Sequence, residues 1–180
     1  MKLATPLAIL AAVSGAQCLV IERSTRLVEV INNVLDRTTK LDAAATAFNG
    51  VDIKPITDAA DDLIDTIYNG QDIAFESGDI GLYDAIPLFQ PITKLENEAQ
   101  KLFNTFKDRK NEVQNVRQCG TAREKLGIIS ESSNTLIGIV QDKIKDKTVK
   151  DVAKGRTDHI KKLLLEARDI YSEENCRDSS

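Results

Sequence analysis

Residues 55–74 read PITDAADDLIDTIYNGQDIA. Apolar or small residues recur at Ile56, Ala60, Leu63, Ile67, Gly70 and Ala74, in alternating steps of four and three. A helix turns once in about 3.6 residues, so these positions share one face. Asp58, Asp61, Asp62 and Asp65 fall outside that seam and suit a solvated face. Pro55 stands in the first turn, where a missing N–H costs least.

Four further runs repeat the pattern. The first is Leu27, Ile31, Val34, Thr38, Leu41, Ala45 and Phe48, stopped by Asn49-Gly50. The third is Ala85, Leu88, Ile92, Leu95, Ala99, Leu102 and Phe106, with Pro87 and Pro91 near its start. The fourth is Ala122, Leu126, Ile129, Ser133, Leu136 and Val140, opened by Gly120-Thr121. The fifth is Val149, Ala153, Arg156, Ile160, Leu163, Ala167 and Ile170. No stretch sustains a period of two. The breaks fall at 49–54, 77–81, about 110–120, and 146–147. Short breaks favour antiparallel neighbours. The expectation is an all-α protein, an antiparallel bundle of five helices.

The cysteines bear on that topology. Cys119 precedes the fourth run and Cys176 follows the fifth. If those helices are antiparallel neighbours, both thiols lie at one end and can form a disulfide; the alternative is two unpaired thiols. The tail from Glu173 to Ser180 is polar and expected to fray.

Residues 1–16 resemble an address rather than structure. Lys2 is followed by an apolar run from Leu3 to Val13 and then by Ser14-Gly15-Ala16. A positive start, a short apolar stretch and small residues before the cut describe a secretory signal. The run is shorter than the ~20 residues of a membrane span. Gln17 before Cys18 does not suit a bacterial lipoprotein. The expected division is a signal peptide over 1–16 and one domain over 17–180. Cleavage after Ala16 leaves Cys18 as an odd thiol, whereas cleavage after Cys18 leaves an even pair. No second apolar span and no hydrophobic tail follow, which argues against a C-terminal lipid anchor. The sequence contains no Asn-x-Ser/Thr acceptor.

Composition excludes several activities. The chain has 180 residues, 24 Lys+Arg against 28 Asp+Glu, and a net charge of −4, so no basic surface awaits nucleic acid. A single His rules out His-rich metal sites within one chain. His159 lacks a Glu three residues before it, where Arg156 stands, so a bundle di-metal site is not expected. Neither a nucleophile motif nor a phosphate loop is present. The acidic cluster at Asp58, Asp61, Asp62 and Asp65 lacks calcium-loop spacing. The lysines from Lys143 to Lys150 are diluted by Asp146 and have no aromatic companions. No cofactor and no enzymatic activity are expected.

The apolar surplus is more informative. Ile64, Tyr68, Ile73, Phe75, Leu82, Phe89, Phe103, Leu164, Leu165 and Tyr171 widen the seams. Three readings follow: helices that touch several partners, exposed residues that adhere to apolar surfaces, or an internal apolar cavity. Gly70, Ala74, Ala99 and Ala167 fill little volume. Thr38, Ser133 and Arg156 offer polar groups to orient a ligand carboxylate. The candidate lining is Leu63, Ile67, Ile92, Leu95, Ser133, Leu136 and Val140.

The sequence resembles the fungal hydrophobic surface-binding protein A family, which includes cell-wall galactomannoproteins. The resemblance runs from about Arg26 to Tyr171. It rests on Thr46-Ala47-Phe48-Asn49-Gly50, Pro55-Ile56-Thr57-Asp58-Ala59-Ala60 and Ile67-Tyr68-Asn69-Gly70. The long third run, the Gly120 opening, Ala153 and the stretch from Ile160 to Tyr171 add to it. It implies a secreted, non-enzymatic helical domain that binds apolar surfaces or holds long-chain fatty acids in its core. Extracellular location with wall association is part of that implication. The single domain without a Ser/Thr-rich stalk or anchor signal leads us to expect a freely secreted form. The alternative is a structural wall or host-interaction protein with a filled core and no ligand.

Overall fold

The computed structural model describes the backbone of residues 14–178 and the side chains of residues 24–178. The leader over 1–16 therefore lies almost wholly outside the described residues, as does the side chain of Cys18. Five long helices form: α1 (Ser14–Ala47), α2 (Lys54–Glu76), α4 (Phe89–Asn115), α5 (Cys119–Lys143) and α6 (Lys147–Ile170). A one-turn helix, α3 (Leu82–Ala85), and a 3-10 turn (Ile86–Leu88) lead into α4. Among the described residues there is no strand, and no helix is long and apolar enough to cross a membrane.

Local chemistry sets the helix ends. Gly50 adopts a left-handed φ of 77° after α1, a conformation that costs glycine little. Asp146 caps α6, its carboxylate accepting from the Val149 N–H at 3.0 Å. The third break is narrower than expected. Val113 adds a buried turn, so α4 runs on to Asn115. Arg117 then closes it with φ 58°, and the Gln118 N–H donates to the Val113 carbonyl at 3.1 Å.

The helices close into a ring in the order α1, α2, α5, α6, α4. Sequence neighbours are spatial neighbours for α1–α2 and α5–α6. They are not for α2–α4, and α4 meets α5 only slightly. The reason is the segment 77–88, which crosses one end of the bundle. Buried Ile80 holds it there: its N–H donates to the Lys143 carbonyl and its carbonyl accepts from the Lys145 N–H. Ala85 and Leu88 are buried beside it, and the segment delivers α4 to the far side of α1. Chain direction still alternates, so α1–α4, α2–α5 and α4–α6 run parallel. Paired contacts show this register: Asp42 with Thr105 and Thr46 with Arg109, then Asp61 with Lys125 and Gln71 with Ser132.

The apolar runs face the ring axis. Leu27, Ile31, Val34, Leu41, Leu63, Ile67, Ile92, Leu102, Ile129 and Leu136 are all buried. One register differs from expectation: on α6 the buried position is Thr157 and not Arg156. The Thr157 hydroxyl turns back to the Ala153 carbonyl at 3.1 Å, which lets a polar residue face inward. Gly70 serves contact rather than empty volume. A Cβ there would stand 2.9 Å from Val30 Cγ1, so its absence lets α1 approach α2. Asp42 is buried on α1, yet it accepts from Lys101 Nζ at 2.7 Å and Thr105 Oγ1 at 2.6 Å. These bonds satisfy a carboxylate that burial would otherwise penalise.

Cys119 and Cys176 form a disulfide, with Cα atoms 5.6 Å apart. The tail expected to fray is instead tied down as far as Asp178. Asp178 accepts from the N–H groups of Cys119 and Gly120 at 2.8 and 3.3 Å, capping α5 across the bridge. Arg123 donates to the carbonyls of Tyr171 and Cys176. Replacing both cysteines by Ala should lower stability by about 4 kcal/mol in the chain-entropy model, given the 57-residue separation. Urea unfolding of the parent and the double variant measures this.

Candidate functional site

Five helices arranged around one axis leave a wide interior, and this chain has few large side chains to fill it. Aromatic residues make up 4% and there is no Trp. The result is an axial cavity of about 110 Å³ walled by all five long helices. By the same measure about 10–15 Å³ suffices for one water. A void of this size in a close-packed interior costs on the order of 2–3 kcal/mol. On α5 its lining runs from Leu126 to Gln141, a length of about 22 Å at ~1.5 Å per residue.

All seven residues singled out from the sequence line this cavity. Leu63 and Ile67 come from α2, Ile92 and Leu95 from α4, and Ser133, Leu136 and Val140 from α5. The candidate lining named no residue of α6, yet Ile160, Leu163 and Leu164 also stand in the wall. Ala99 and Ala167 line the cavity as small residues, whereas Gly70 and Ala74 do not.

The lining presents hydrocarbon. Thr38 donates its hydroxyl to the Val34 carbonyl at 2.8 Å. Gln141 Nε2 donates to Thr157 Oγ1 at 2.7 Å, a polar pair toward the end where 77–88 crosses. Arg156, expected to orient a ligand, is not in the wall. Its guanidinium pairs with Glu96 at 2.8 Å on the outer side of the α4–α6 seam. Next to the wall on α5, Ser130 Oγ and Asn134 Oδ1 are buried without a hydrogen-bond partner.

A second void of about 40 Å³ lies toward the disulfide end. It shares Phe106, Leu126 and Ile129 with the axial cavity. Phe106 meets Tyr171 edge-on, with centroids 6.3 Å apart. The Tyr171 hydroxyl donates to the Phe106 carbonyl at 2.9 Å, and burial pushes its pKa far above the ordinary range. Arg109, Lys125, Thr57 and Thr121 stand in the wall of this second void.

The surplus apolar residues divide. Ile64 and Tyr171 are buried, Phe89, Phe103 and Leu164 are half-buried, and Tyr68 and Leu165 are exposed. Ile73, Phe75, Leu82, Tyr83 and Ile86 are exposed near the crossing end, Phe75 and Tyr83 by 73% and 82%.

A family model described as hydrophobic surface binding protein A matches residues 25–142. The chain is 24% identical over 145 residues to cell wall mannoprotein 1 of Aspergillus flavus. That match covers 81% of this chain and 53% of the relative, so the chain spans about half the length of the curated relatives it matches. Ligand binding domain 1 of Penicillium marneffei MP1 protein, solved with arachidonic acids, superposes with a TM-score of 0.77 at 17% identity. The superposition covers 80% of this chain and 95% of that one. The structure of AFMP4P with palmitic acid superposes with a TM-score of 0.77 at 15% identity, over 83% and 99%. These likenesses establish the shared fold.

Three of the four clustered carboxylates are engaged in ion pairs. Asp58 pairs with Lys54, Asp61 with Lys125 and Asp62 with Arg37. No metal-holding cluster occurs among the described residues. His159 Nδ1 lies 2.8 Å from Glu96 Oε1, so its partner is Glu96 rather than the adjacent Asp158. Burial raises the Glu96 pKa, but hydrogen bonds from His159 and Arg156 outweigh it and hold the group below its ordinary 4.5. A lowered folded pKa stabilises above the unfolded value and loses that contribution as pH falls through the folded one. Glu96→Gln should therefore cost about 1 kcal/mol near pH 7, modest because Arg156 and His159 are over a third exposed. The difference should shrink below pH 4.5, as urea unfolding at several pH values measures.

Proposed function

The chain belongs to the hydrophobic surface binding protein A family, and on that premise we propose that it is a non-enzymatic binding protein for fatty acids or similar amphiphiles. The axial cavity carries this reading. It is elongated, walled by all five helices, and has no charged group in its lining. Apolar voids stay dry and accept apolar guests. Each methylene moved from water into such a site contributes about 0.8 kcal/mol. The related folds solved with arachidonic and palmitic acid support an acyl chain as the guest. Leu63, Ile67, Ile92, Leu95, Ser133, Leu136 and Val140 are the proposed contacts. A filled, ligand-free core is disfavoured by the void itself.

The protein is read as secreted, to the extracellular space or the cell wall. The leader-like residues 1–16, the disulfide and the likeness to cell wall mannoproteins support this. Binding to apolar surfaces is a second activity, favoured by the exposed Phe75 and Tyr83.

Native mass spectrometry of the recombinantly secreted chain tests the main reading. Adducts with the mass of palmitic acid are expected after incubation with it, and a chain that takes up none contradicts it. Ala99→Phe should displace two or more methylenes and lower affinity about tenfold or more with helicity kept. Circular dichroism beside a fatty-acid titration checks both. Phe75→Ser with Tyr83→Ser should reduce retention on alkyl-agarose while leaving palmitic acid uptake unchanged.

A further inference from the structure

The seam between α5 and α6 is fastened near its ends. Arg123 donates to the carbonyls of Tyr171 and Cys176 at 2.8 and 3.0 Å, beside the disulfide. Gln141 donates to Thr157 at 2.7 Å near the other end. Between these two anchors one strip of α5 faces α6: Arg123, Gly127, Ser130, Asn134, Gly138 and Gln141, in helical steps of three and four. The matching strip of antiparallel α6 is Thr157, Lys161, Leu164, Arg168 and Tyr171.

The middle of this seam is poorly closed. Ser130 Oγ and Asn134 Oδ1 are buried there without a hydrogen-bond partner, and Ser130 is 0% exposed. An added Cβ at Gly127 or Gly138 would meet nothing within 4 Å. On the α6 side Lys161 and Arg168 are long and flexible, and among the described residues neither enters an ion pair. The other four seams each carry a side-chain bridge: Arg37 with Asp62, Asp42 with Thr105, Gln71 with Ser132, and Arg156 with Glu96. Parting the α5–α6 seam breaks no such bridge between its anchors. It also relieves two buried polar atoms of their desolvation penalty.

We infer that the middle of the α5–α6 seam is the mouth of the axial cavity, through which an acyl chain passes sideways. This rests on the fatty-acid reading above. Leu164 lies on the α6 strip and also lines the cavity, so a chain that displaces it is already inside. The anchors at Arg123 and Gln141 keep the helices joined while residues 127–138 part, a length of about 16 Å at ~1.5 Å per residue. Local opening of this kind draws on the least stable contacts of a fold.

A mouth sets the barrier to exchange and not the end states, so its variants should change rates rather than affinity. Gly127→Leu with Gly138→Leu lays two side chains over the seam, and neither residue lines the cavity. Stopped-flow fluorescence of cis-parinaric acid should show uptake and release both slowed about tenfold or more, with Kd unchanged within about twofold. Gly155→Leu is the control, since Gly155 also meets nothing within 4 Å but lies on the opposite face of α6. Parent rates in the double variant, or equal slowing in the control, overturn the mouth and leave the fatty-acid reading intact. A parent chain that binds neither cis-parinaric nor palmitic acid removes both. A second measurement does not depend on ligand. The thiol of Ser130→Cys should react with a maleimide about tenfold or more faster than that of Ala74→Cys, which is equally buried on α2. Equal rates for the two thiols contradict the inference.

Discussion

The constraint on which the structure depends is geometric: five apolar stripes must share one axis. Each long helix survives by burying its stripe rather than by propensity. A ring of five encloses more space than medium-sized aliphatic side chains fill. Large aromatics could close it, but the interior is built mainly of Leu, Ile, Val and Ala. The cavity thus follows from ring size and side-chain volume together. Its cost is a stability deficit that a bound acyl chain would remove.

Ring closure in turn depends on both ends. At one end, Ile80 docks the crossing segment onto the α5–α6 connection, which carries α4 around α1. At the other, the Cys119–Cys176 bridge, the Asp178 cap and Arg123 fasten the last turn of α6 to the first of α5. Tyr171 sits inside this knot and reaches across to Phe106, so the fastening also shapes the wall of the second void.

Much of this was legible in the sequence because burial has a period. The runs through Leu63, Ile67, Leu136 and Val140 mark helix faces, and the seven inferred positions do meet at one cavity. The disulfide was legible because it requires only that α5 and α6 be antiparallel. Ring order was not, since periodicity says which face is buried and not which helix it meets. Nothing in residues 77–88 announces that Ile80 will bridge to Lys143 and Lys145. Arg156 was misplaced because steps of three and four are interchangeable at one turn, and the hydroxyl of Thr157 hid its inward role.

The most direct measurement is a crystal structure of the chain grown with palmitic acid. Continuous density along the bundle axis is expected, passing Leu63 and Ile67 of α2 and Leu136 of α5. An axis closed by side chains, with the acid absent or lying on the outer surface, would contradict the central claim.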